Sequence, residues 1–364
     1  MIETQIAIIG GGPAGLQAAT AAGQTGAQVL LIDNFDRLGG QLVKQTHMFF
    51  GSQQQFAGTR GIDIATKLAK QVAALENVQV MLEATALGIY EDGVLLVEQH
   101  DRVHKVKAER IIVAVGASER MLAFPNNDLP GVYGAGAAQT LMNVHGVKPG
   151  HRVLMVGAGN IGLIVSYQML QAGVEVVGIV EAAPTIGGYL VHAAKVRRAG
   201  VPIYTSHTVK EAYGEGVVEG AIIWQLDENW SPIPGTERDV AVDVICLAVG
   251  LSPLSDLLWQ AGCEMAYVPE LGGSVAVRDE LLRTSNPEIY VAGDVAGVEE
   301  ASSAMVEGRI AGLGAALSLG LGGETAFKHL QEAREQLTAL RSGPVGEKIL
   351  AGLRRVEREV ATDA

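Results

Sequence analysis

Apolar residues along the chain fall into short runs punctuated by glycine, and the arrangement repeats. Gln5–Ile9 reads as a β-type run, GGGPAG follows, Leu16–Ala22 is rich in alanine, and Val29–Ile32 is a second apolar run. A short, continuously apolar run bounded by turn residues fits a strand covered on both faces. Strand, glycine turn, helix and strand together make a βαβ unit. The same order returns about 147 positions later as Arg152–Val156, GAGNIG, Leu163–Gln171 and Glu175–Val180.

Each unit is followed by a meander. Residues 78–117 predict several short strands, with a turn at Glu91-Asp92-Gly93 and a closing strand over Arg110–Val115. Residues 201–226 and 240–250 repeat that arrangement, and both closing strands end in Ala-Val-Gly. Near the end, TSNPEIYVAGDVAG predicts a strand over Glu288–Ala292, a Gly-Asp turn and a helix over Ser302–Leu317. FKHLQEAREQLTALR and EKILAGLRRVEREV are helical by period, with a break at Ser342-Gly343-Pro344 between them. The segment from Glu324 onward balances its charges, so it reads as an appendage with an apolar face that a partner or a second copy could cover.

Composition narrows the function. The chain has 364 residues, enough for two domains, and its 46 glycines are nearly twice the usual share, which implies many tight turns. Net charge is −13 and no basic, aromatic-laced stretch occurs, which argues against nucleic acid. No run reaches the roughly 18 apolar residues of a membrane span, and MIETQIAIIGGG enters a strand with no charged leader, so a cytoplasmic protein is expected. Cys246 and Cys263 are the only cysteines; without a CxxC they write neither a disulfide framework nor a metal or iron–sulfur site. Cys246, in DVICLAVG, reads as core, and Cys263 reads as core or as a surface thiol. His145, His192 and His207 stand singly, without metal-ligand spacing, and no metal is expected.

The glycine turns carry the chemistry. In Gly10-x-Gly12-x-x-Gly15, which includes Pro13 and Ala14, the first glycine permits the turn, the second admits a pyrophosphate and the third lets helix and strand approach. The phosphates would rest at the positive helix N-terminus. Asp33, at the end of the second strand, is placed for the ribose hydroxyls. Gly157-x-Gly159-Asn160-Ile161-Gly162 repeats the device, with Glu181 as its acid. A carboxylate there accepts from a free 2′-hydroxyl and repels a 2′-phosphate, so NADH is preferred over NADPH if a nicotinamide nucleotide binds. The second fold could instead be architectural or hold another adenine nucleotide. Two dinucleotide folds in one chain suggest FAD paired with NAD(H).

GGGPAG, Gly39-Gly40-Gln41, VAVGA at 113–117, GAGNIG and Tyr290-Val-Ala-Gly-Asp294, in that order, resemble the pyridine nucleotide-disulfide oxidoreductases, in the thioredoxin reductase branch. The resemblance covers residues 1 to about 322. It implies an α/β fold of two Rossmann-like domains, the NAD(P)H domain (119–284) inserted into a discontinuous FAD domain (1–118 and 285–323), with 324–364 a helical tail. It further implies that Asp294, after Gly293, bonds the ribityl chain. Gly40 and Gln41 would lie along the flavin, Ala114 and Gly116 would line the FAD site, and Ala301 would meet the flavin pyrimidine while Glu300 turns away or is paired. Within the branch, LPGVYGAGAAQTLMNVHGVKPG followed by VLMVGAGNIGLIVSYQ is most similar to the FAD/NAD-binding subunits of sarcosine oxidase, opine oxidase and hydrogen cyanide synthase. Those subunits work in hetero-oligomers with a substrate-oxidising flavoprotein and generally carry an iron–sulfur module that two cysteines cannot supply.

Thioredoxin reductases place CxxC where this chain has residues 134–140, so no internal dithiol is expected. Electrons would leave the flavin directly, to a partner protein or a small acceptor. The small residues of GVYGAGAAQT would give a nicotinamide ring or a partner room to approach. Lys44, Thr46 and His47 follow the Gly-Gly-Gln, which makes Lys44 and His47 the candidate donors or proton carriers near flavin N5. The other reading of His47 is a local backbone contact beside core residues Phe49 and Phe50. The enzyme is expected as a homodimer or hetero-oligomer; a non-catalytic scaffold or redox sensor is the remaining class.

Overall fold

The computed structural model describes residues 1–90 and 92–358, so Glu91 of the expected turn and residues 359–360 of the last expected helix lie outside the described residues. The chain divides into two compact units, one of residues 1–118 with 252–364 and one of residues 119–251.

The first unit opens with β1 (Ile2–Ile9), α1 (Pro13–Gln24) and β2 (Val29–Ile32), then α2 (Gly61–Ala73), β3 (Val78–Met81), β4 (Ala84–Ile89), β5 (Val94–Gln99) and β6 (Arg102–Val113). Its sheet runs β3-β2-β1-β6-β5-β4. Ile6–Ile9, Val29–Ile32 and Ile111–Val113 are buried, as runs apolar at every position must be when covered on both faces. β7 (Ala117–Glu119) leads out of the unit.

The second unit comprises β8 (Val132–Gly134), α3 (Ala135–Asn143), β9 (Arg152–Val156), α4 (Asn160–Gln171), β10 (Glu175–Glu181), α5 (Leu190–Arg198) and β11 (Ile203–Thr205). It continues through β12 (His207–Tyr213), β13 (Gly220–Gln225), β14 (Arg238–Ala241) and β15 (Val244–Leu247). Its parallel sheet is ordered β11-β10-β9-β15-β8, and β12-β13-β14 form a separate antiparallel sheet. The chain leaves through β16 (Leu251–Pro253).

The returning segment adds α6 (Asp256–Gln260), β17 (Met265–Val268), β18 (Gly273–Ala276), β19 (Ile289–Val291), α7 (Ala301–Ser318), α8 (Gly323–Leu340) and α9 (Pro344–Leu353) to the first unit. β19 joins the large sheet beside β6, Ile289 to Ile111 and Val291 to Val113. Both units therefore have a set of parallel strands with a glycine turn at its centre, which β5 and β4 extend antiparallel in the first unit. α7 packs on α1 at van der Waals range, because a side chain at Gly308 or Gly312 would collide with the carbonyls of Ala14 or Ala18.

Two expectations change here. Residues 252–284, expected with the inserted domain, pack with the first unit, because the β17–β18 hairpin buries its apolar side: Val268, Leu271 and Val275 share a cluster with Leu353 and Val356 of the tail. Nor is the tail an appendage with an open face. Ala326, Leu330, Ala333 and Leu337 of α8 lie in the same core as α1 and α7, and each buried leucine contributes about 1.5–3 kcal/mol. The apolar face is covered by its own chain.

Candidate functional site

Both glycine turns are built alike, down to single hydrogen bonds. The Gly10 N–H donates to Ile32 O at 2.8 Å, and the Gly157 N–H to Val180 O at 2.7 Å. Gly10 has φ +105° and Gly157 φ +107°, and a side chain on either would strike the carbonyl of Ala114 or of Ala248. The acids match as well. Asp33 accepts from Gly11 N–H and, at 2.8 Å, from Phe35 N–H; Glu181 accepts from Ala158 N–H at 2.8 Å and Ala183 N–H at 2.9 Å. Each acid thus fixes the middle residue of its Gly-x-Gly turn. Burial pushes the Asp33 carboxyl above its ordinary value, against the pull of the Phe35 and Gly11 amides.

Beyond those bonds the turns are open. Helices α1 and α4 begin at Gly12 and Gly159 with no side-chain cap and no acidic residue in the first turn, which leaves the positive end of each helix dipole for an anion. A side chain at Gly12 would come no nearer than 3.9 Å to anything but its neighbours, and one at Gly159 would meet nothing within 4 Å. At Gly15 and Gly162, by contrast, it would strike the carbonyls of Gly10 and Gly157. Close packing on one side and open space on the other fit a pyrophosphate at each turn. Gly40 closes the first cradle and Gly188 the second: a side chain at Gly40 would lie 2.7 Å from Gly12 Cα, and at Gly188 2.8 Å from Gly159 C.

The Gly293-Asp294 turn abuts the first cradle. Gly293 has φ +78°, and a side chain there would come 2.9 Å from Ala14 Cβ. Asp294 is partly accessible yet deeply set; burial, with the Glu307 and Glu299 charges behind it, pushes its carboxyl up to about 7, against the Glu299 N–H that it accepts at 3.4 Å. Glu307 accepts from Gly293 N–H at 2.9 Å. Arg341, from the end of α8, donates to Glu299 at 2.6 Å and to Glu307 at 2.5 Å.

Residues 4–308 match the family model described as pyridine nucleotide-disulphide oxidoreductase. The chain belongs to this family. Among curated relatives, the hydrogen cyanide synthase subunit HcnB of Pseudomonas aeruginosa is 28% identical over 329 residues, 84% of this chain and 69% of that one. The sarcosine oxidase subunit alpha of Rhizobium meliloti is 30% identical over 283 residues, 74% of this chain but 26% of its own length. Among solved structures, the L-proline dehydrogenase of P. horikoshii matches 92% of this chain and 59% of its own with a TM-score of 0.69 at 25% identity. The T. acidophilum thioredoxin reductase matches 88% of this chain and 100% of its own with a TM-score of 0.72 at 22% identity, a likeness of fold. The family is one of FAD- and NAD(P)-binding oxidoreductases.

For a member of this disulphide-reductase family, the thiols are notable. Cys246 and Cys263 are both buried, and burial pushes both thiols up, away from the reactive thiolate. The dithiol position is filled differently: Glu119 accepts from Gly136 N–H at 2.6 Å and Ala137 N–H at 3.2 Å, capping α3 with a carboxylate. Gly134 must be small, since a side chain there would strike that carboxylate, and Ala135, Gly136 and Ala138 are buried. Their small size serves packing inside the unit, while Ala137 between them is exposed.

Lys44 ends a 3-10 turn over Gly40–Lys44, and His47 lies just beyond, partly buried, with its ring stacked on Phe49 at 5.8 Å. Gln41 and Glu300 are exposed and Ala301 opens α7. Phe49 packs on the core, whereas Phe50 is exposed. Gly116 turns the chain after Ala114 with φ +77°. Sequence reasoning missed Gly188, Glu119, Glu299, Glu307 and Arg341. The readable signal was Glu307, an acid inside the apolar run ASSAMVEGRIAGLG.

Proposed function

We propose that this chain is an FAD enzyme that exchanges hydride with NAD(H) and hands electrons from the flavin to a partner protein or a small acceptor. FAD would supply one- and two-electron redox chemistry and NAD(H) a hydride. The observation that carries the reading is the duplicated cradle, each copy an uncapped helix N-terminus with an acid at the end of the following strand. Gly10, Gly12, Pro13, Ala14, Gly15 and Asp33 hold the adenosine and pyrophosphate of FAD. Gly39, Gly40 and Gln41, with Ala114 and Gly116, border its flavin half, Gly293 and Asp294 hold the ribityl chain, and Ala301 meets the pyrimidine. Gly157, Gly159, Asn160, Ile161, Gly162 and Glu181 serve NAD(H). Lys44 and His47 carry or orient a proton near the flavin. Glu181 remains partly accessible, so its carboxylate accepts from a ribose and repels a 2′-phosphate.

Several of the relatives are, by name, subunits. A substrate-oxidising flavoprotein partner, in a hetero-oligomer acting on an amine or imino acid, is the assembly we favour over a homodimer. Stopped-flow reduction of the oxidised protein under argon tests the nucleotide assignment: NADH should bleach it at least tenfold faster than NADPH. Glu181→Ala should erase most of that ratio, and equal rates in the unaltered protein would refute the preference.

A further inference from the structure

One guanidinium reaches both residues of the Gly-Asp turn. Arg341 holds Glu307, and Glu307 accepts the Gly293 N–H; Arg341 also holds Glu299, whose own N–H donates to Asp294. The two arms converge on adjacent residues, from an arginine that lies outside the family match at 4–308. All three side chains of the clasp are nearly inaccessible, at 8% for Arg341, 8% for Glu299 and 3% for Glu307. A buried cation between two buried acids is costly to break, because loss of one partner leaves uncompensated charge. Both flanks of Arg341 are anchored: α8 packs into the core of α1 and α7, and beyond α9 the Arg278 N–H donates to Val356 O at 2.9 Å while Arg358 N–H donates to Arg278 O at 2.9 Å.

We propose that Arg341 is a positioning residue of the flavin site, and that the C-terminal segment is a clasp that holds the Gly293-Asp294 turn in its cofactor-binding form. The inference rests on the reading of the first unit as the FAD site. The charged groups that face the clasp are Asp294 from the turn, Arg278 from the strand side and Glu357 from the tail. The Arg278 guanidinium is fully buried, and its Nη1 and Nη2 make no hydrogen bond among the described residues. Without Arg341, Glu299 and Glu307 lose the guanidinium that bridges them, and the Glu299 carboxyl, which burial and the Glu307 charge already hold above its ordinary value, rises further.

The test uses the full chain stripped of flavin and titrated with FAD from pH 6 to 9, with apoprotein melting temperatures measured alongside. Arg341→Lys keeps the charge but lacks the fork that spans both acids; it should fold and bind FAD about tenfold more weakly. Arg341→Gln should bind about a hundredfold more weakly, with an affinity that recovers as pH falls. Arg355→Gln, which loses an outer tail bridge to Glu270 and a bond to Tyr267 O, should match the unaltered chain. If Arg341→Gln does not fold, the Lys variant decides alone. A folded Arg341→Lys that binds FAD within twofold of the unaltered chain at every pH would overturn the clasp. Failure of the unaltered chain to bind FAD would overturn the site reading itself, a result distinct from the former.

Discussion

Asp294 holds a carboxyl whose ionisation opposes folding of the cofactor-free chain. Burial pushes it up to about 7 from an ordinary value of 3.8, so between those values the folded chain keeps a proton that the unfolded chain has lost. Stability from this group is complete below about pH 4 and is lost as pH rises through about 7. The apoprotein's denaturant midpoint should therefore fall over that window. Asp294→Asn should shrink the slope and raise stability at pH 8 by about 1–3 kcal/mol, leaving the contributions of Asp33 and Glu299, which burial also raises. An unchanged slope would show that Asp294 is not the buried group. At this scale the sequence was uneven. Asp33 and Glu181 were legible because the glycine spacing fixes where the acid must stand. Glu299 and Arg341 were not, since charges brought together from separate segments leave no period, and Glu307 showed only as an acid inside an apolar run.

Elements are better written than residues. Val29–Ile32 and Arg152–Val156 form strands over the ranges expected, because buried parallel strands are apolar at every position. α2 escaped notice although its apolar positions recur at helical spacing, and so did α3, whose alanines and glycines hide a packed helix. The α3 cap gives an element-scale expectation: Glu119→Ala removes the acceptor of two first-turn N–H groups and should cost about 1–2 kcal/mol, read from a denaturant titration. Gly162→Val drives a side chain into Gly157 O. That variant should stay yellow, since Gly162 belongs to the second unit, yet lose reduction by NADH. Reduction at the original rate would refute the assignment of that turn to the nicotinamide nucleotide.

For the whole molecule, the internal repeat announced the two-unit plan, but the boundary at 252 and the place of the tail were not legible. Neutral charge and helical period are shared by appendages and by core helices; only packing tells them apart, and α8 buries its apolar face in the core of the first unit. Among the described residues no helix is long and apolar enough to cross a membrane. The central proposal is that electrons leave from the flavin without an internal disulfide, a reading that the two buried thiols and the carboxylate-capped α3 support. An anaerobic titration of the FAD-loaded protein with NADH tests it most directly. Complete bleaching at one equivalent per chain, unchanged in a variant with both cysteines replaced by serine, is predicted. Consumption of a second equivalent that disappears in the serine variant, or no bleaching at all, would contradict the account.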